Sequence, residues 1–342
     1  MNFFITNREI IANSDGSESI REDGKEHAGD NLRFGTYDIA ANKFTLFPEP
    51  DTTEEITYQN LADKNADDLK GSAKFFKLVY DQMIGPAGTS TTSNDALFFI
   101  HGFNTNLNGV RNAFKTLNEC YVNQTTSPVK HIIIFTWPGM HPKIPLHYWN
   151  DEKDAERSGQ ALARGMEKVI RFFKEFLVFA KNPACNCSIH FMAHSMGHRV
   201  LKHMILELQI KKLLIPELFG QIVLMAADIE YDIFEKEKSY NVLLDLGVRV
   251  HVYFNHEDHA LDIAKFTKNF TNRLGRYGRK RVDSTLADVY DADVSVTIED
   301  RNADLEETLL KHWYYYTSSE VIADVIDVLN GKISKFKITV TP

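Results

Sequence analysis

Five short, unbroken apolar runs constrain this chain more than any other feature. They are Ala96–Ile100, His131–Trp137, Ser188–Ala193, Gln221–Ala226 and Arg249–Phe254. Each is continuous rather than alternating, which predicts parallel strands covered on both faces. Amphipathic stretches lie between them. Leu162, Met166, Val169, Phe173 and Phe176 share one helical face, and Met196, Val200, Met204 and Leu208 share another. This alternation predicts an α/β fold, with a doubly wound, mostly parallel sheet, helices on both faces and right-handed crossovers. A last strand is predicted within Ala292–Ile298. Residues 1–70 are polar and uneven, with short strands expected at Phe3–Ile5 and Arg33–Ile39 and a mobile loop at Asn13–Asn31. The expected organisation is a single domain, an N-terminal extension over 1–70 flanking a core over 71–342.

Composition narrows the function classes. Hydrophobic residues at 43% and charged residues at 25% exclude a mostly disordered chain. A net charge of −8 argues against a dedicated nucleic-acid binder, which needs a basic footprint. The one basic run, Arg273 to Arg281, reads as a solvated loop, with an anionic lipid surface or phosphate-bearing substrate as the alternative. Cys120, Cys185 and Cys187 are odd in number, and the C-N-C pair is too close for ordinary bridge geometry, so reduced thiols in a cytoplasmic protein are expected. Neither metal-ligand spacing nor a cofactor motif is present, and no apolar stretch reaches the length of a membrane span. The first residues lack the charged n-region of a signal peptide.

In an open parallel sheet the chemistry sits in loops at the carboxyl ends of the strands. After Ser188–Ala193 comes Ala193-His194-Ser195-Met196-Gly197, followed by a helix. It matches the nucleophile-elbow pattern G-x-S-x-G, with alanine at the first glycine. A sharp strand–turn–helix lifts the Ser195 hydroxyl out of the sheet and points the Met196 amide at a developing oxyanion. A plain helix N-cap serine is the alternative. After Ala96–Ile100 comes His101-Gly102-Phe103-Asn104. Gly102 permits close backbone approach, the Phe103 amide is the candidate second donor, and Asn104 is placed to fix the loop or touch substrate.

A serine nucleophile needs a base, and the base an orienting acid. Asp258, in the loop after Arg249–Phe254, is the leading acid. Asp228, one strand earlier, is the rival, followed by Glu257. Among 13 histidines, His312 is the last and follows the last predicted strand, which selects it as base. His194 is expected to pack away from the serine, and His198, His256 and His259 to be surface or supporting residues.

Taken together, these pieces resemble the α/β-hydrolase superfamily, and more narrowly a bacterial α/β-hydrolase family catalogued as a domain of unknown function. The matching segments are F-I-H-G-F-N-T-N at 99–106, T-W-P-G at 136–139, A-E-R-S-G at 155–159, H-S-M-G at 194–197, A-A-D-I-E at 226–230 and N-H-E-D-H-A-L at 255–261, with T-N-R at 6–8 and R-F-G at 33–35. The resemblance implies Ser195 as nucleophile, His312 as base, Asp258 as acid, and the Phe103 and Met196 amides as oxyanion hole. It supplies no substrate. The expected activity is cleavage of small-molecule carboxylic esters without a cofactor. An acyltransferase, thioesterase or peptidase with the same triad is the near alternative, and a catalytically silent scaffold the distant one. Met140, Tyr148 and Trp149, in a proline-rich aromatic loop, are expected to join Phe103 and Trp313 in an apolar wall beside the serine.

Overall fold

The computed structural model describes residues 1–22, 28–50, 64–84, 94–139, 148–179, 187–213, 217–235, 237–262, 271–280, 286, 288–301 and 310–338, with 148–151 and 171–179 described as backbone only. The five apolar runs are strands β6 (Asp95–Ile100), β7 (Val129–Thr136), β8 (Ile189–His194), β9 (Phe219–Met225) and β10 (Gly247–Phe254). With β1 (Asn2–Thr6), β4 (Arg33–Asp38), β5 (Lys43–Leu46) and β11 (Val289–Asp293) they form a nine-stranded sheet of order β11-β10-β9-β8-β6-β7-β1-β4-β5. From β11 to β1 every neighbouring pair is parallel.

Helices cover both faces because successive strand residues point to opposite sides. Phe98 and Ile100 face α1 (Gly71–Ile84), α3 (Tyr148–Phe179) and α4 (Gly197–Ile210), and pack with Phe75, Leu162, Met166 and Val200. Leu97 and Phe99 face α2 (Leu107–Leu117) and α5 (Ser319–Leu329), and pack with Val110, Phe114 and Val325. The chain leaves β6 for β7 on one side and returns to β8 on the other. The β6–β8 seam is therefore the switch point of the sheet, and the loops after these two strands open together. Among the described residues no helix is long and apolar enough to cross a membrane.

The N-terminal strands are integrated into the sheet rather than set beside it. β1 (Asn2–Thr6) pairs parallel with β7, placing Phe3 opposite Ile133, and antiparallel with β4 (Arg33–Asp38), which pairs in turn with β5 (Lys43–Leu46). Phe3 and Phe4 are fully buried. The loop expected over Asn13–Asn31 contains β3 (Glu18–Ile20), paired with β2 (Ile10–Ala12) around a turn in which the Asp15 carboxylate accepts from the Ser17 amide. Its short polar residues read as loop because a two-stranded ribbon on the surface buries little.

Two further expectations are corrected. The last strand is β11 (Val289–Asp293), not a segment within Ala292–Ile298. The alternation V-S-V-T-I imitates a strand, but Asp293 Oδ1 accepts from the Ser295 amide at 3.0 Å and turns the chain. Val296 is left 86% exposed and Ile298 74%. The basic run beginning at Arg273 is a solvated loop only in part, with Lys280 exposed but two of its arginines buried. Arg273 is 1% exposed, and Arg279 donates to the buried Asp291 through its amide (3.2 Å) and Nε (2.8 Å). Buried carboxylates draw these arginines inward, which a local charge count does not reveal.

The Arg273–Gly275 segment runs against the end of β9. Leu274 N–H donates to Ile229 O at 2.8 Å, Gly275 N–H to Ala227 O at 2.9 Å, and Asn255 N–H to Gly275 O at 3.0 Å. A Cβ on Gly275 would stand 2.1 Å from the Ala227 nitrogen, backbone that cannot step aside. Gly275→Ala is therefore expected to cost more than about 3 kcal/mol in urea unfolding. Gly16→Ala, where a Cβ meets nothing within 4 Å at φ 83°, serves as the comparison and should cost about 1 kcal/mol from backbone strain alone.

Candidate active site

Ser195 stands between β8 and α4 in the left-handed region, at φ 51°. A non-glycine residue there costs roughly 1–2 kcal/mol, and its surroundings hold it in place. Its amide donates to Met225 O at 3.1 Å, and its carbonyl accepts from the amides of His198 (3.1 Å) and Asp228 (3.2 Å). Gly197 must lack a side chain, because a Cβ would lie 2.7 Å from His101 O and 2.8 Å from Ile100 O. A Cβ on Gly102 would lie 2.8 Å from Ser195 Cβ. The loop after β6 thus passes directly beside the serine. Met196 sits at the N-terminus of α4, where helix geometry leaves amides without intrahelical acceptors.

A network that the sequence reading left without roles holds the loop after β6. His101 stacks on Trp137, with ring centroids 5.4 Å apart and planes 5° from parallel. The Trp137 amide donates to His101 Nε2 at 3.2 Å and the Trp137 indole to His101 O at 3.0 Å. Nε2 therefore accepts, and the other ring nitrogen, Nδ1, carries the proton it shares with Gly102 O at 2.9 Å. Burial, and next the Arg8 charge, hold His101 neutral with a pKa of about 3. Arg8 Nη2 donates to Thr105 O at 2.6 Å and Arg8 Nε to Thr136 Oγ1 at 2.7 Å, tying the loop to the ends of β1 and β7. Asn104 follows at φ 53°. The T-N-R and T-W-P-G segments supply these groups. An arginine three residues after an apolar run was the available signal for Arg8.

On the other side, His312 Nδ1 lies 2.7 Å from Asp258 Oδ2. Asp258 is fully buried, and its other oxygen accepts from the Leu261 amide at 3.0 Å. One carboxylate thus caps a turn and orients an imidazole at once. Desolvation raises its pKa, opposed by the His312 charge and hydrogen bond. Asp228 is placed differently. Its oxygens lie 3.4 Å from Arg273 Nε and 3.8 Å from Arg199 Nε, and both arginines are buried. The exposed Glu257 pairs with Lys311.

His194, adjacent to the serine, is buried and kept neutral chiefly by desolvation and then by His312. Its Nε2 donates to His312 O at 3.2 Å, so it joins the elbow to the loop carrying His312. His198 is fully buried rather than superficial.

Ser195 and His312 line one cavity of about 700 Å³, together with Phe103, Asn104, Trp313 and Asp228. No hydrogen bond joins Ser195 Oγ to His312 among the described residues. Such contacts are often long before substrate binds. Met140 lies outside the described residues. Tyr148 and Trp149 open α3 rather than belonging to a loop, and are described as backbone alone.

No curated protein and no solved structure matches the chain. Residues 87–329, from just before β6 to the end of α5, match the alpha/beta hydrolases of unknown function (DUF900). With most of its length matched, and with the sheet order and loop placement just described, the chain belongs to this α/β-hydrolase family.

Proposed function

We propose that the chain is a serine hydrolase that cleaves small-molecule carboxylic esters through an acyl-enzyme on Ser195. The observation that carries this reading is the strained Ser195, facing the same cavity as an imidazole whose far nitrogen is held by a buried carboxylate. With Nδ1–H on Asp258, Nε2 of His312 is the basic atom. It takes the Ser195 proton as Oγ forms a bond to the ester carbonyl carbon. The carbonyl electrons move to oxygen, which the Met196 and Phe103 amides receive. Collapse breaks the bond to the alcohol oxygen, and His312 returns the proton to it. Water, deprotonated by His312, then releases the acid and regenerates the serine. Asp258 stays ionised and stabilises the transient imidazolium. Asp228, between two arginines, is assigned no proton. The free thiols Cys120 and Cys187 fit a reducing, cytoplasmic setting.

A fluorophosphonate probe tests this directly. Labelling of the wild type at Ser195, absent in Ser195→Ala, is the expected result, and an unlabelled folded protein would mark a silent scaffold. With Phe103, Leu117 and Trp313 on the cavity wall, p-nitrophenyl esters should gain about 0.8 kcal/mol per added methylene, roughly fourfold in kcat/KM, until the cavity is filled. A flat profile from acetyl to octanoyl would remove the acyl-pocket assignment.

A further inference from the structure

The cavity beside Ser195 continues past the residues used above. It follows α2, whose first turn is capped by the Asn106 side chain on the Gly109 amide and lies next to the His101–Thr105 loop. Lys115, near the other end of α2, also lines the cavity, roughly 12 Å farther along the axis at 1.5 Å per residue. There the helix runs directly into a π-helical turn, Asn118–Val122, and Glu119 and Cys120 of that turn line the same space. Such turns are uncommon and cluster at functional sites. This one is fixed from outside, by Tyr121 Oη donating to Tyr315 O and by Cys120 Sγ near Tyr316 O. Arg301 completes that end. Its amide donates to Thr317 O at 2.9 Å, and its side chain lies close enough to Cys120 to act on the buried thiol.

Among the described residues the charges at this end do not pair with one another. Arg301 is half-buried, and among the described residues neither it nor Lys115 has a carboxylate within ion-pair distance. Among the described residues the nearby carboxylates are Glu119, exposed at the rim, Asp300, which accepts from the Ser319 amide at 2.8 Å, and Glu299, which accepts from Thr317 Oγ1 at 2.9 Å. Between Ser195 and this end the wall is apolar and aromatic, with Phe99, Leu117, Trp313 and Tyr315. A partly desolvated guanidinium at the end of an apolar passage favours an anionic partner.

We propose that this end of the cavity is an anion subsite, in which Arg301 and Lys115 bind a carboxylate or phosphate that the ester carries remote from its scissile carbonyl. The proposal rests on the esterase reading for the chemistry at Ser195, but not for the binding of the anion. The substrate class is then an ester with an apolar spacer and an anionic terminus, rather than a simple fatty ester.

The test has a kinetic and a binding arm. For the first, p-nitrophenyl hydrogen suberate and p-nitrophenyl octanoate are compared on the wild-type enzyme, with an eight-carbon acyl ester ending in phosphate separating the two anions. The expected result is a kcat/KM about tenfold or more higher for an anionic ester, carried by KM and weakened by added salt. That ratio should collapse to near one in the Arg301→Gln/Lys115→Gln variant. For the second arm, suberate and 8-phosphonooxyoctanoate are titrated calorimetrically into Ser195→Ala protein, with and without the same two substitutions. Binding that the substitutions weaken about tenfold or more supports the subsite whatever the chemistry. Octanoate ester turned over as well as the anionic esters, with no substitution-sensitive binding of either anion, overturns the subsite and leaves the esterase reading standing. Binding without hydrolysis of any ester does the reverse.

Discussion

Ser195→Ala is expected to lower kcat on p-nitrophenyl esters by roughly 10⁴–10⁶-fold, and His312→Ala by a similar factor. The double variant should be little worse than either, because a nucleophile without its base and a base without its nucleophile both fail at the same step. The Asp258 and Asp228 variants separate the acid from its neighbour. Asp258→Asn keeps the shape but loses the charge 2.7 Å from His312 Nδ1, so kcat should fall by roughly 10³–10⁴-fold while the melting temperature moves little. Asp228→Asn removes the carboxylate lying 3.4 Å from Arg273 Nε and 3.8 Å from Arg199 Nε. Arg199 keeps Glu152 at 2.7 Å, so weakening this buried charge cluster should cost about 1–3 kcal/mol of stability, with kcat of the folded fraction largely kept. If the two phenotypes are exchanged, the acid is Asp228. Steady-state kinetics beside urea unfolding distinguish the cases.

Acidification should unfold the protein steeply. His101, His194, His198 and His251 are all buried. Desolvation is the largest influence on each, holding His101 and His251 to a pKa of about 3 and His198 to about 4, with His194 well below its usual value. In the unfolded chain these rings titrate near 6.5. Above that value neither state is charged and they contribute no pH dependence. Below it the unfolded state takes up protons that the folded state refuses, so stability falls as pH falls, by about 5 kcal/mol per pH unit for four such groups. Asp258 and Asp291 act in the opposite sense, since burial raises both, but the four histidines outnumber them, and the buried His131, lowered to about 4, adds a fifth. Stability is therefore expected to be full near pH 7 and lost in a narrow window around pH 5. His251 offers the cleanest check, because neither ring nitrogen has a partner among the described residues and the ring stacks on Tyr290. His251→Phe should move the acid midpoint lower and remove about one proton from the slope of the transition. An unchanged slope in a circular dichroism titration would show that His251 is protonated in the folded state.

The strands of the sheet centre were legible because burial on both faces writes a continuous apolar run. The tight strand–turn–helix at Ser195 was legible because few residue types fit a turn that sharp. Boundaries failed where a local pattern had two meanings. The V-S-V-T-I segment alternates like a strand, yet the Asp293–Ser295 turn carries it into solvent. The arginines at 273 and 279 look soluble until Asp228 and Asp291, distant in sequence or on another strand, neutralise them inside. Asp258 was singled out from its position after a strand; its carboxylate meets both His312 Nδ1 and the Leu261 amide, a placement that fits the acid reading and the ordinary N-cap alternative alike. Arg8 and Trp137 belong to segments noticed only as resemblance. Their function lies in reaching Thr105 and His101, contacts spanning 97 and 36 residues, and no local signal reports such distances.

The place of β1 in the sheet has a consequence for how the molecule is assembled. β1, β4 and β5 form a local antiparallel meander, whose pairs are close in sequence and quick to form. Its seat against β7 cannot exist until Val129–Thr136 has left the ribosome, since Asn2 registers with Ile132. Until then the meander waits as a preformed block, and β7 keeps an open edge until the meander docks. Arg8 travels with that block, so the loop beside Ser195 gains its anchor at Thr105 and Thr136 only when the block docks. Strand addition of such long range is intrinsically slow. Catalytic competence during refolding should therefore appear later than the bulk of the secondary structure, in step with the closing of the β1–β7 seam.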